Sequence, residues 1–214
     1  MSPWWRRPRS KVPAIPFCRL ELLVVDIETT GLDPRRDHVL EIGWVPVTRG
    51  QVVLDGARGS VVRPPPGVVV GESAVLHGIT DDDLAAAPGL ADLVPELRAA
   101  LHGRVLVAHH APIEIGFLAR AFRDGQANRA PLYVVDTMTL QHRLLVRGHG
   151  EPPPGGLRLD AARRRFALPR YAAHHAATDA IATAELLLAQ VAELGSRLGR
   201  EPTLADLSPR RLQR

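Results

Sequence analysis

Residues Glu21–Asp33 read ELLVVDIETTGLD, and this stretch decides the fold. Its first half, Glu21–Ile27, is a short apolar run rich in β-branched residues, the pattern of a buried strand. The strand closes on Asp26 and Glu28. Two-residue alternation puts both carboxylates on one side of the chain, roughly 6–7 Å apart along it. Paired acids at the end of a buried strand repel one another and resist desolvation unless a divalent cation neutralises them. Hard oxygen ligands of this kind suit Mg²⁺ or Mn²⁺. An exposed strand end carrying two solvated acids fits the spacing equally well. Thr30-Gly31 supplies a tight turn at which backbone can approach a ligand.

Outward from this strand, Val39–Val47 and Gln51–Leu54 are strand candidates joined by a Thr48-Arg49-Gly50 hairpin turn, and Ser60–Arg63 is a further short one. A short helix is expected near Glu72–Leu76. A second opens at Thr80, whose side chain is a fair N-cap for Asp81, Asp82 and Asp83. Leu90, Leu93, Val94, Leu97 and Leu101 recur at helical spacing. Val105–Ala108 reads as a strand before a helix opened by Pro112 and running to about Phe122. Tyr133–Asp136 reads as a strand before a helix over Thr137–Val146. Arg147–Gly156 reads as a loop, Leu157–Ala167 as helix, and Ala176–Leu194 as a helix with an apolar stripe. A strand meander followed by alternating strands and helices predicts an α/β fold with a mixed sheet.

The chain has 214 residues, enough for one domain with extensions: a basic N-terminal tail over residues 1–19, a domain over 20–194 and a C-terminal tail over 195–214. With 45% hydrophobic and 23% charged residues, wholesale disorder is excluded. The longest apolar runs are too short to span a membrane, and the N-terminus lacks the apolar core of a secretory signal. A single cysteine, Cys18, excludes an intrachain disulfide and a cysteine-based zinc site, so a reduced, cytoplasmic protein is expected. The net charge of +4 divides unevenly, with an excess of +5 over residues 1–19, +3 over 196–214 and −4 between them. Basic ends on an acidic body fit a polyanionic partner. They fit a merely arginine-rich composition as well, since lysine occurs once against 26 arginines, so charge alone decides nothing.

Two further segments deliver acids at a strand end or helix start. Val107–Leu118 reads VAHHAPIEIGFL, with Glu114 in the first turn of its helix, and His174–Ala180 reads HHAATDA, with Asp179 opening the long apolar helix. Such positions converge at one edge of an α/β sheet. Over residues 20–193 the chain resembles the DEDDh-type 3′–5′ exonucleases, the family of the proofreading epsilon subunit of bacterial DNA polymerase III. DIETTGLD matches the family's DxETTGL. His174, Ala176, Asp179 and Ala180 reproduce its HxAxxDA, and Glu72 before His77-Gly78-Ile79-Thr80 resembles its E…HGIT block. The middle motif departs: His110 stands for the usual Asn, Ile113 for Phe and Glu114 for Asp.

The resemblance implies a ribonuclease H-like fold and a two-metal hydrolysis of phosphodiester bonds from a 3′ end, releasing nucleoside 5′-monophosphates. It implies that Asp26, Glu28 and Asp179 hold one Mg²⁺ or Mn²⁺, and that Asp26 and Glu114 serve a second. His174 would be the general base, for which an imidazole is suited near neutral pH. Glu72 and His77 would meet the terminal nucleotide. The expected substrate is a single-stranded or frayed 3′ end, of DNA or RNA, and a DNA polymerase is a possible partner. Glu114 in place of Asp raises the alternatives of an altered metal preference or a weakened, binding-only module. A module that only binds nucleic acid would want basic residues on its body, which is instead acidic. A histidine-rich phosphohydrolase is the other competitor among nine histidines, but the His-Asp doublet such enzymes use is missing, the nearest being the reversed Asp37-His38. The pairs His109-His110 and His174-His175 leave packing or hydrogen-bonding roles for the members outside the motif. Trp4 and Trp5 beside Arg6 and Arg7 fit either base stacking or packing on the body.

Overall fold

The structure is a computed structural model and describes residues 12–68, 70, 78–123, 133–171 and 175–212. Glu72, His77 and His174, the helix expected near Glu72–Leu76, and Trp4 to Arg7 all lie outside the described residues.

Seven strands among the described residues form one mixed sheet: β1 (Glu21–Thr29), β2 (Val39–Thr48), β3 (Gln51–Val52), β4 (Arg58–Val61), β5 (Val105–Ala108), β6 (Tyr133–Asp136) and β7 (Arg210–Arg211). Their order is β3-β2-β1-β5-β6-β7, with β4 also paired to β2. The β1–β2 and β2–β3 pairs are antiparallel. The β1–β5 and β5–β6 pairs are parallel, so the three strands end at one edge. Arg49 and Gly50, with φ of 53° and 72°, make the β2–β3 turn with both central residues left-handed, the geometry a two-residue hairpin needs. The helices are α1 (Asp81–Ala86), α2 (Leu90–Leu101), α3 (Pro112–Arg123), α4 (Thr137–His149), α5 (Leu159–Arg165) and α6 (Ala176–Leu198). Thr80 caps α1 reciprocally with Asp83.

Alternation along β1 splits the core into two layers. Leu22 and Val24 join Val45 and Val47 of β2 beneath Leu140 and Leu144 of α4 and Ala180, Ala184, Leu187 and Val191 of α6. Leu23, Val25 and Ile27 join Ile42 and Trp44 against Leu97 and Leu101 of α2 and Phe117 and Leu118 of α3. Each fully buried Leu or Val is worth about 1.5–3 kcal/mol, and that burial fixes the β1 register, because a one-residue slip would turn every side chain to the wrong layer.

Several boundaries differ from the sequence reading: β3 stops at Val52, β4 is Arg58–Val61, and α6 runs on to Leu198. Helix α4 runs past Val146 to His149 and stops at Gly150, whose φ of 82° suits glycine at a helix end. Helix α5 is shorter than expected, Leu159–Arg165. The described parts of both terminal segments pack on the body. Phe17 is buried with Leu204 and Leu207 in the α4–α6 layer, Phe17 N–H donates to the Pro202 carbonyl at 2.9 Å, and Leu204 N–H donates to the Ile15 carbonyl at 2.9 Å. Asp206, held by Arg200 and Thr203, stays well below the usual carboxylate range. No helix of the described residues is long and apolar enough to cross a membrane.

Candidate active site

The row of β1 side chains that faces α6 is apolar at Leu22 and Val24 and becomes acidic at Asp26 and Glu28. On β2 the same layer receives Val47 and Val45, then Gly43 and Glu41, which stand opposite Asp26 and Glu28 in register. The register shifts just beyond, between Glu28 and Thr29, as irregular strands do beside functional sites. Helix α6 packs along this layer, and its first turn lies against the acidic end of the row. A β-carbon built on Gly43 would lie 2.2 Å from both the Ala176 carbonyl carbon and the Ala177 nitrogen, so only glycine admits the helix backbone there. A β-carbon built on Gly59 of β4 would likewise lie 2.7 Å from the Ala177 β-carbon. Asp179 follows in the first turn of α6, its N–H donating to the His175 carbonyl at 2.9 Å.

The result is a cluster drawn from two distant parts of the chain: one carboxylate oxygen each of Asp26, Glu28 and Asp179, all within 4.8 Å of one another. Two oxygens on one octahedral Mg²⁺ at about 2.1 Å stand at most about 4.2 Å apart, so this donor set fits a small divalent cation with minor side-chain adjustment. Burial, then the neighbouring carboxylates of Glu114, Glu28, Asp179 and Glu41, push Asp26 well above the ordinary carboxylate range. Burial, helped by Asp179 and Glu41, pushes Glu28 up to about 8. Crowding of this kind disfavours the charged forms, and a bound cation would restore them.

Glu114 lies outside this trio but beside it. It sits in the first turn of α3 at the edge where β5 ends, is 4% exposed, and leaves Oε2 buried without a hydrogen-bond partner. Burial pushes its carboxyl up to about 8, with Asp136 and Glu28 adding to the rise. A buried acceptor left unpaired costs free energy, which a cation bound at this edge would recover.

The neighbouring histidines serve as struts. His109 bridges Thr137 Oγ1 through Nδ1 and the Leu157 carbonyl through Nε2, each at 2.9 Å, and burial lowers its pKa. His110 has φ of 72°, and its N–H donates to Asp136 Oδ1 at 3.2 Å. Asn, Asp and His are the non-glycine residues most at ease there. The loop after Thr29 is wired in place: Asp33 N–H donates to Asp37 at 2.8 Å, and Arg120 of α3 donates to the Pro34 carbonyl at 2.9 Å. Leu32 protrudes from that loop, 75% exposed.

Glu41 is the residue that sequence reasoning missed. Glu41 is 8% exposed, and its carboxylate has Oε2 without a hydrogen-bond partner and 3.9 Å from His175 Nδ1. Burial raises its pKa, the Ala176 N–H and His175 opposing the rise. A glutamate inside the otherwise apolar run Val39–Val47 was the available signal.

The RNase_T family of exonucleases matches residues 23–187, and the chain belongs to it. Among curated relatives, a DNA polymerase III subunit epsilon-like protein of Rhodobacter capsulatus is 34% identical over 196 residues, covering 90% of this chain and 27% of its own. A PolC-type DNA polymerase III of Halalkalibacterium halodurans is 31% identical over 183 residues, covering 86% of this chain and 12% of its own. The chain thus spans about a quarter or less of the length of these relatives. In fold it is similar to exonuclease X, solved in complex with 5′ overhanging duplex DNA, with a TM-score of 0.62, 23% identity, and coverage of 87% of this chain and 99% of that one. The mixed sheet flanked by helices is ribonuclease H-like, and the chain carries an exonuclease domain.

Proposed function

We propose that this chain hydrolyses phosphodiester bonds one nucleotide at a time from the 3′ end of single-stranded or frayed DNA, releasing nucleoside 5′-monophosphates with Mg²⁺ or Mn²⁺. The observation that carries the reading is the meeting of Asp26, Glu28 and Asp179 oxygens within 4.8 Å at the open edge of an exonuclease-family sheet. Divalent cations at this edge would supply Lewis-acid stabilisation of the phosphodiester and water of lowered pKa. In this reading Asp26, Glu28 and Asp179 hold one cation, while Asp26 and the buried Glu114 hold a second. His174, assigned by the family motif, takes the proton from the attacking water. Glu72 and His77, assigned in the same way, orient the terminal nucleotide. The epsilon-like and PolC-type relatives support DNA as substrate and a DNA polymerase as partner.

The test is digestion of matched 3′-labelled DNA and RNA oligonucleotides with Mg²⁺ or Mn²⁺, comparing the wild type with Asp26→Ala and Glu114→Asp. Asp26→Ala should abolish release of mononucleotides, and full activity in that variant would refute the site. Glu114→Asp restores the residue usual in the family and should gain activity with Mg²⁺ relative to Mn²⁺. Equal performance in both metals would remove the case for an altered metal preference.

A further inference from the structure

Helix α6 is 23 residues long, carries Asp179, and begins without a side-chain cap: His175 at its N-cap makes no capping hydrogen bond. The first N–H groups of a helix need acceptors, and its positive end favours a carboxylate. Here a carboxylate comes from another element. Glu41, on β2, lies against this end, its Oε2 3.9 Å from His175 Nδ1, and the Ala176 N–H favours its charged form.

Its position in the sheet is unfavourable. It stands directly opposite Glu28 in the β1–β2 pair, where like charges destabilise a sheet. It is 8% exposed, and its Oε2 has no hydrogen-bond partner. An apolar residue would serve the buried strand better unless the carboxylate does a task there. On the same face, two residues along, Gly43 gives the space into which the α6 backbone fits. Glu41 and Gly43 together therefore dock the start of α6 against the strand that faces Asp26 and Glu28.

We infer that Glu41 is a positioning residue of the cation site: it caps α6 from the neighbouring strand and so holds Asp179, three residues beyond Ala176, in register with Asp26 and Glu28. It supports the ligands without being one, and the inference rests on the proposed cation site.

Two conservative variants separate contact from charge. Glu41→Gln keeps the length and an oxygen acceptor but loses the charge. Glu41→Asp keeps the charge but is one methylene short of Ala176. The readouts are Mn²⁺ affinity by calorimetry, without nucleic acid, and amide hydrogen exchange at Ala176 in the metal-free protein. Glu41→Gln should bind Mn²⁺ within about threefold of wild type and keep Ala176 protected. Glu41→Asp should bind at least tenfold more weakly and expose that amide. Loss in Glu41→Gln alone would make the charge the agent, and equal loss in both would make Glu41 a ligand. Either result overturns the positioning role, as does wild-type behaviour in both variants. A wild type that cleaves DNA and binds Mn²⁺, with Glu41→Asp unaffected, refutes this inference while leaving the nuclease reading intact. A wild type that binds no Mn²⁺ overturns both.

Discussion

Gly43→Ala adds one methyl group where β2 meets the start of α6. The new carbon would lie 2.2 Å from the Ala176 carbonyl carbon and the Ala177 nitrogen, and 2.5 Å from the Ala176 oxygen, against an ordinary contact of 3.4 Å or more. The atoms struck are backbone, so no rotamer change relieves the clash, and the helix start must retreat by roughly 1.2 Å, the difference between those distances. Overpacking of that kind costs about 1–3 kcal/mol. Asp179 travels with the first turn of α6, whereas Asp26, opposite Gly43, stays with the sheet. A displacement of about 1 Å at a reacting centre costs about 10²-fold in rate. The variant should therefore fold with a lowered urea midpoint and lose about two orders of magnitude in kcat/KM on a 3′-labelled oligonucleotide with Mn²⁺, although Gly43 has no side chain to touch substrate. A kcat/KM within threefold of wild type, at unchanged stability, would refute the idea that this close approach sets the position of Asp179.

Glu114 makes stability depend on pH in the direction opposite to most acids. Its folded carboxyl titrates near 8 instead of near the ordinary 4.5, so the fold prefers the neutral form. The stabilisation is complete below about 4.5 and is lost as pH rises towards 8, an effect of order a few kcal/mol. Metal-free protein should thus melt lower at pH 8.5 than at pH 5.5, and Glu114→Gln should flatten that slope in thermal melts with a chelator present. His110→Asn replaces a residue at φ of 72° with one more tolerant of that region, and should raise the urea midpoint by up to about 1 kcal/mol equivalent. Truncation after Gly199 removes Leu204 and Leu207, each 1% exposed, and should destabilise the protein by about 3–6 kcal/mol in the same assay. Unchanged stability would show that this segment adds nothing to the core.

Most strands and helices were legible because their patterns are strong. β1 is a buried β-branched run, and α6 carries a stripe at helical spacing. The acids were legible because Asp26, Glu28, Glu114 and Asp179 stand at strand ends or helix starts within recognisable strings. Glu41 was not, because its meaning lies in a partner strand: only the β1–β2 register puts it opposite Glu28, and only the docking of α6 gives it Ala176 to cap. The end of α4 was misjudged because Gly148 looks like a breaker, yet an established helix absorbs one glycine at a cost of about 1 kcal/mol. The terminal segments resisted reading because arginines supply most of their charge, while the apolar anchors Phe17, Leu204 and Leu207 have no periodicity until they are packed.

The pairing of residues 15–18 with residues 201–204 has a consequence for stability. Pro16 bridges to Thr203, and Cys18 N–H donates to Glu201 Oε1 at 2.8 Å, so the segment leading into β1 is zipped to the one that follows α6. Each segment clamps the other, so a substitution that displaces residues 15–18 should also loosen residues 201–204 and, through Leu204, the layer under α6.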